Sequence, residues 1–582
     1  MRKRMKTIAA ILTLALLTVT LAGCGDQGGQ SSAEPSGDGQ SSVESQASDE
    51  SQSSEEEQPS DDGGQAQSGE VHKLTILGPD PGNQFIKYEE REQYEVWQAL
   101  QDMLAENGLE LEIEAVPQDQ YTVMIQTRMS STSLPDIVNV SPIDDASLIA
   151  MGKQGTIQEL SGLIEQYSNG NIEKMYKEKY NTGYPLIQTS EGEIYWLTNL
   201  HKGNTYEGKE VVQGLGIQIR KDWLDKAGLE MPQTLEDFTK AIHTFRETDV
   251  NGNGQQDEII LVDCQSFANG LAQVFGLGNG IVALDTVSGK IVSPWYQDHV
   301  KDYFAYVNQL IQEGIIDSAT IGAAELQNQR LADNLVGSWY AYDGATYLNT
   351  YVTNGAEGVD YEPVFTLTDA VEGCVPWKEV ETSQLVWDRY CITKACTDLE
   401  GVVKFLDMIY SDEYSDILTW GIEGTDYEVK DGMKVSLINS MTNEEKGAAK
   451  RSSGSPLWGG LLPRVQTSVD YPTKEAWEEQ QRTENKSELK IQALEKGVDY
   501  KEWCPLMLDN FLAMATDEEN ETINRIQTGI QTYSDELCIK LAQGTASLDD
   551  FDSYLEELKE LGLDELIAVQ QARYDRFVQS QN

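Results

Sequence analysis

Residues 109–117 read Leu109-Glu110-Leu111-Glu112-Ile113-Glu114-Ala115-Val116-Pro117, and the reading of this stretch decides the fold class. Apolar residues alternate with Glu, the pattern of a strand with one wet face, and Pro117 ends it. Working back, Tyr94, Trp97, Leu100 and Leu104 recur at spacings of three and four, which places them on one helix face, and Asn107-Gly108 supplies the stop. Earlier still, Leu74-Thr75-Ile76-Leu77 is a short apolar run halted by Gly78-Pro79, a buried strand that ends in a loop. Strand, helix, strand is a βαβ unit. Working forward, a helix around Tyr121 to Met129 leads to Ser133-Leu134-Pro135-Asp136-Ile137-Val138-Asn139-Val140, a turn and another short strand. The expectation is an α/β lobe built on a mostly parallel sheet.

The chain begins with Arg2, Lys3, Arg4 and Lys6 ahead of an apolar run from Ile8 to about Leu21. That order is the pattern of an export signal, and the run is short for a membrane span. It ends in Leu21-Ala22-Gly23-Cys24, which resembles a bacterial lipobox, implying cleavage before Cys24 and lipid on its thiol. Residues 1–23 are thus expected to be a lipoprotein signal peptide. Residues 24–70 follow as the lipidated Cys and a tether of Ser, Gln, Gly, Asp and Glu. The tether has no aromatic residue and too little apolar surface to offset the entropy of ordering. As a flexible coil it reaches on the order of 35–40 Å.

The body, 71–582, exceeds what one core usually serves, so two lobes are expected. The formal charge of −54 argues against nucleic acid, whose phosphates call for a basic surface. Besides Cys24 there are six cysteines, Cys264, Cys374, Cys391, Cys396, Cys504 and Cys538, with no C-x-x-C pair. Up to three disulfides or a set of buried thiols are both compatible with that count.

A second lobe is expected to begin with the strand Gly214 to Arg220. There Thr234 and Asp237 form a capping-box pattern ahead of the apolar stripe Leu235, Phe238, Ile242 and Phe245. Thr397 and Glu400 repeat it before Leu399, Val402, Val403, Leu406 and Ile409. Between these helices, Thr248 to Leu261 reads TDVNGNGQQDEIIL, with oxygen-bearing Asp249, Asn251, Asn253 and Asp257 at positions suited to a hard cation. In an EF-hand numbered from Asp249 the twelfth residue is a bidentate Glu, and here it is Ile260. A metal-free polar turn remains the alternative.

Several stretches together resemble the bacterial family 1 extracellular solute-binding lipoproteins, the maltose-binding-protein-like family. They are Ser133 to Val138, Ile219-Arg220-Lys221-Asp222-Trp223-Leu224-Asp225-Lys226-Ala227-Gly228-Leu229 with Pro232 to Leu235, the acidic loop, and Phe405 to Tyr427. The oligosaccharide-binding members from Gram-positive bacteria are the most similar. The resemblance implies two α/β lobes joined by a multi-crossing hinge, with ligand in the cleft between them and the closed form docking on the permease subunits of an ABC importer. It implies a monomer held at the extracellular face of the cell membrane by its lipid anchor alone. Crossings are expected near 195–216 and 383–393, giving a first lobe of about 71–200 plus 385–430 and a second of about 215–380 plus 430–582. Members of the family bind calcium through a similar loop. That likeness implies a structural Ca2+ held by Asp249, Asn251, Asn253, Asp257 and Glu258 with the backbone carbonyl of Gln255.

Sugar sites combine aromatic platforms with a few fixed polar groups. The resemblance of Val336-Gly337-Ser338-Trp339-Tyr340 to a cleft-lining segment makes Trp339 and Tyr340 the first candidates. Tyr195, Trp196 and Trp387 lie beside the expected crossings. Asp80 and Asn83 follow the first strand, where open α/β sheets collect ligands, and Trp458 is expected as an exposed loop aromatic. Against an enzyme, the four histidines are scattered, and neither H-E-x-x-H nor G-x-S-x-G is present. Gly276-Leu277-Gly278-Asn279-Gly280 is a turn and not a nucleotide loop. A surface glycan-retaining adhesin and a peptide-binding importer component are the alternatives to sugar import.

Overall fold

The computed structural model describes residues 71–581 apart from 81–84, 132, 181–182, 202–203, 212, 343–357, 382–387, 431, 439–440, 442, 467–468, 486–487, 498–502 and 506–507. Cys24, Asn83 and Trp387 therefore lie outside the described residues. In chain order the strands of the two main sheets are β1 (His72–Asp80), β2 (Leu109–Pro117), β3 (Ile137–Asn139), β4 (Leu197–Thr198), β5 (Gln213–Arg220), β6 (Ile259–Ile260), β7 (Val336–Tyr342), β8 (Tyr361–Pro363), β9 (Lys378–Glu381), β10 (Arg389–Ile392) and β11 (Trp503–Pro505).

The opening stretch is β2, the edge of a five-stranded sheet ordered β2-β1-β3-β10-β4. It runs parallel to β1 through an unbroken register from His72↔Leu109 to Asp80↔Pro117. Its edge position explains the alternation: Glu110, Glu112 and Glu114 are exposed while Leu111 and Ile113 pack on the core. β1 lies inside the sheet with Leu74, Ile76 and Leu77 buried, which is why its sequence is a continuous apolar run. The helix between them, Glu95–Glu106, buries Trp97, Leu100 and Leu104 and stops at Asn107, with Gly108 left-handed at φ 67°.

The second sheet is six-stranded and mixed, with β11-β9-β5-β7-β6 in order and β8 paired to β5. Helix Leu235–Thr248 packs against it and carries the expected capping box. Thr234 Oγ1 accepts from the Asp237 amide at 3.1 Å, and Asp237 Oδ2 accepts from that of Thr234 at 3.2 Å. Helix Leu399–Ile409 differs from expectation in its cap, since Asp398 and not Thr397 receives the Gly401 amide at 2.8 Å. Asp398 also accepts from His72 Nδ1 at 2.7 Å and so ties the helix to the start of β1.

Each sheet has its own apolar core, which makes the body two-lobed, and neither core is continuous in sequence. The first draws on residues from Leu74 to Leu200, then Tyr390 to Leu418, then Leu457 to Val465, and finally Met514. The second spans Ile217 to Leu367 and the C-terminal helices from Ile526 to Leu566. The stretch after 430 therefore does not belong wholly to the second lobe. Val465-Gln466 pairs in parallel with Leu200-His201, and that pairing pulls the segment around Trp458 into the first core. A small satellite core of Tyr206, Val211, Tyr471, Trp477, Ile491 and Leu494 forms where the chain passes between the lobes. The five cysteines whose state is described, Cys264, Cys374, Cys391, Cys396 and Cys538, are free thiols.

Candidate functional site

β1 and β3 are parallel and end at Asp80 and Asn139, while β10 is antiparallel and begins at Arg389. The ends of the first two and the start of the third thus share one edge of the sheet, and a cavity of about 360 Å3 opens there. Ligands collect at such carboxyl ends because the loops diverge and leave a crevice. Pro79, Asn139 and Ser141 supply one wall and Asp388 another. The short helix Ser455–Trp458 and its continuation through Gly460 to Arg464 close the third side.

The polar groups hold one another in place. Asn139 Oδ1 accepts from the Ser141 amide at 3.0 Å and from its hydroxyl at 2.6 Å, and Asn139 Nδ2 donates to the Gly460 carbonyl at 2.8 Å. Asp388 sits at φ 52°, a left-handed conformation that Asp tolerates better than most residues. Its Oδ2 accepts from Asn199 Nδ2 at 2.7 Å, and its Oδ1 lies 3.1 Å from Ser141 Oγ, whose one proton it shares with the nearer Asn139 Oδ1. Asn199 in turn accepts the Arg464 amide at 2.7 Å, and Arg464 Nη1 donates to Ser455 Oγ at 2.9 Å. Beneath the floor, Tyr121 donates to the Asn139 carbonyl, and burial raises the pKa of its phenol. Beside Arg464, burial and then the guanidinium lower the His201 pKa to about 4, so the imidazole is neutral at ordinary pH. A carboxylate, a guanidinium, a hydroxyl and amides around a small crevice offer both donors and acceptors of the kind that can hydrogen-bond a polyol. Among the described residues Asp388 is the carboxylate of the lining.

The aromatic candidates are placed otherwise. Asp80 is half-buried at the end of β1, next to Pro79 of the cavity wall. Tyr195 and Trp196 are 3% and 2% exposed in the first core, where the Tyr195 ring packs so closely on Gly152 that a Cβ there would stand 2.3 Å from it. Trp458, expected as an exposed aromatic, is fully buried. Its indole Nε1 donates to Tyr414 Oη at 2.8 Å, and its ring meets Trp97 edge-on at 6.0 Å. Gly454 makes this placement workable, because a Cβ at that position would lie 2.1 Å from the indole. Trp339 is half-buried on β7, packed with Leu335 and Val359 against a cluster that includes Ile259 and Leu261. Tyr340 faces a buried network, donating to Glu379 and accepting from Gln273, while Asn279 donates to Glu379 at 2.5 Å. Burial raises the pKa of the Glu379 carboxyl.

The groups that build the first-lobe cavity went unnamed as ligand contacts in the sequence. Asn139 closes a strand that the sequence does mark, and Asp388 adjoins the marked Trp387. Arg464 carries no local signal, since it reaches the site through contacts with residues more than 260 positions away.

In the acidic loop, Asp249 caps its helix in a left-handed conformation. Gly254 N donates to Asp249 Oδ2 at 3.0 Å, Asn253 N to Asn251 Oδ1 at 2.9 Å, and Gln255 N to Asn253 Oδ1 at 2.8 Å. The second oxygens, Asp249 Oδ1 and Glu258 Oε2, are buried and accept no hydrogen bond. Buried carboxylate oxygens without donors fit a hard cation, which would supply the missing partner. Among the described residues no three His, Cys, Asp or Glu side chains stand together in a ligating arrangement. The Asn side chains and the Gln255 carbonyl would have to complete any shell.

The profile of the family described as bacterial extracellular solute-binding protein matches residues 89–416, more than half the chain. The fructooligosaccharide ABC transporter substrate-binding protein FusA of Streptococcus pneumoniae is 27% identical over 489 residues, which cover 78% of this chain and 82% of FusA. The polygalacturonan/rhamnogalacturonan-binding protein YtcQ of Bacillus subtilis is 22% identical over 341 residues, 56% of this chain and 63% of that protein. A solved structure of the S. pneumoniae FusA EF-hand mutant in complex with fructo-nystose superposes with a TM-score of 0.65 at 20% identity, covering 87% of this chain and 99% of that one. With the two-lobed fold and a polar cavity at its sheet edge, the chain belongs to the bacterial extracellular solute-binding protein family and is a binding protein, not an enzyme.

Proposed function

We propose that the chain captures an oligosaccharide outside the cell and delivers it to the permease subunits of an ABC importer. The observation that carries this reading is the cavity at the edge of the first sheet, where Asp388, Arg464, Asn139 and Ser141 offer the mixed donors and acceptors that sugar hydroxyls require. A ligand that also touches the second lobe binds a closed state more tightly and shifts the population toward it. The kinship with a fructooligosaccharide-binding and a polygalacturonan-binding protein supports a carbohydrate and leaves its charge open.

In this reading Cys24 carries the lipid that holds the protein at the extracellular face of the membrane, and residues 25–70 are the tether. The loop from Asp249 to Glu258 holds a structural Ca2+, supported by its two unpartnered carboxylate oxygens and by an EF-hand in FusA. The lobes divide near 71–200 with 388–466 and the strip around Met514 for the first, and 213–381 with 503–505 and 526–581 for the second.

A thermal-shift screen of the full chain against glycan and peptide panels tests the reading. A ligand at a hundred times its Kd adds about 2.7 kcal/mol of stability. A response to peptides with silence across all glycans overturns the sugar assignment.

A further inference from the structure

We infer that the first-lobe cavity selects uncharged sugar rings and rejects uronates, with Asp388 as the specificity-determining residue. This rests on the carbohydrate reading above and adds the charge class of the ligand.

The argument starts from how Asp388 is held. Among the described residues its hydrogen-bond partners are both neutral, the Asn199 amide on one oxygen and the Ser141 hydroxyl on the other. An ionised carboxylate has about four lone-pair sites. Two are used, and the remainder suit hydroxyl donors on a ligand. Among the described residues no cationic side chain is paired with Asp388, so its remaining acceptor sites face the cavity.

Among the described residues the lining holds one other charged side chain, Arg464, so one carboxylate is matched by one guanidinium before any ligand arrives. A neutral sugar leaves that balance intact, because its hydroxyls donate to Asp388 and accept from Arg464. A uronate brings a second carboxylate into a crevice with one guanidinium, and like charges confined together repel strongly. The chain's overall charge of −54 adds a long-range field of the same sign.

Glycine lets the third side pack closely against its neighbours. A Cβ on Gly459 would stand 2.6 Å from the Ser455 carbonyl and 3.3 Å from Arg464 Nη1, and one on Gly460 would stand 3.3 Å from Pro79. At about 360 Å3 the cavity is near the lower end of small-ligand sites. It therefore suits the end of a chain and not the flank of a long polymer.

The test compares uncharged malto-, xylo-, manno- and fructo-oligosaccharides of three to four residues with oligogalacturonates of the same length. Binding is read by thermal shift and calorimetry on the full chain. The expected result is a rise in Tm and a measurable Kd with an uncharged member and neither with oligogalacturonate. The substitution Asp388→Asn keeps the left-handed backbone accessible and one acceptor for Ser141 or Asn199, while it removes the charge and turns the other oxygen into a donor. It should weaken the uncharged ligand by roughly tenfold or more, the scale of a charge-assisted hydrogen bond.

Oligogalacturonate binding as tightly as the uncharged sugars, or an Asp388→Asn protein with unchanged affinity for them, overturns the inference. Binding of uronates alone does so while carbohydrate capture stands. No response to either class removes the carbohydrate reading and the inference with it. If Asp388→Asn does not fold, the two-class comparison on the unaltered chain decides alone.

Discussion

Replacing Trp458 with Ala tests the assembly of the first lobe most directly. The side chain is fully buried, with its indole N–H on Tyr414 Oη and its ring against Trp97. An aromatic of this size buries roughly 200 Å2, which at about 25 cal/mol per Å2 gives ~5 kcal/mol as an upper bound. Measured Trp-to-Ala costs in cores of about 3–5 kcal/mol agree with it. Trp458→Phe keeps most of the apolar contact and loses the N–H donor, so it should cost about 1–2 kcal/mol, and in a Tyr414→Phe background the increment should shrink. Urea unfolding followed by circular dichroism reads both values. A Trp458→Ala loss below about 1 kcal/mol would refute the buried placement, because an exposed loop aromatic costs little on truncation.

Two further outcomes follow from the loop and from His201. Calcium should raise the Tm of the full chain and a chelator lower it, and Glu258→Gln should abolish most of that calcium response without unfolding the protein, as read by differential scanning calorimetry. For His201 the sign is set by its lowered folded pKa of about 4 against about 6.5 unfolded. Between those values the unfolded chain binds more protons. The contribution is complete above about pH 6.5 and is lost as the pH falls toward 4, at most about 3 kcal/mol. His201→Gln should flatten the stability profile in that window alone.

The sequence disclosed its helices and edge strands well because their signals are local. The alternation in β2, the stripe from Leu235 to Phe245 and the Thr234 cap each depend on neighbours within a turn or two. The site was less legible. Tyr195 and Trp196 beside an expected crossing, and Trp458 in an expected exposed loop, are natural candidates for sugar contact, yet all three fill the core, since a large ring is worth more buried than waiting for ligand. The cavity's polar groups are ordinary residues whose roles arise from pairing between distant segments. Asn139, Asp388 and Arg464 meet only after three separate pieces of chain have joined one sheet edge, and no window of sequence contains that event. The acidic loop was readable as an oxygen-rich turn, and its two unpartnered carboxylate oxygens became visible only with the surrounding packing.

The order in which the first core is assembled has a kinetic consequence. Its sheet starts at His72, but Asp398 secures that first strand, Leu462 accepts the Tyr390 hydroxyl, and Pro185 accepts the amide of Met514. A nascent chain of 430 residues therefore lacks the Leu457 to Val465 strip altogether, and its first lobe stays open while most of it has already been made. Contacts this remote must close large loops before they contribute, which slows folding and delays it until synthesis is nearly complete. A version truncated near residue 450 should remain protease-sensitive from its first strand onward.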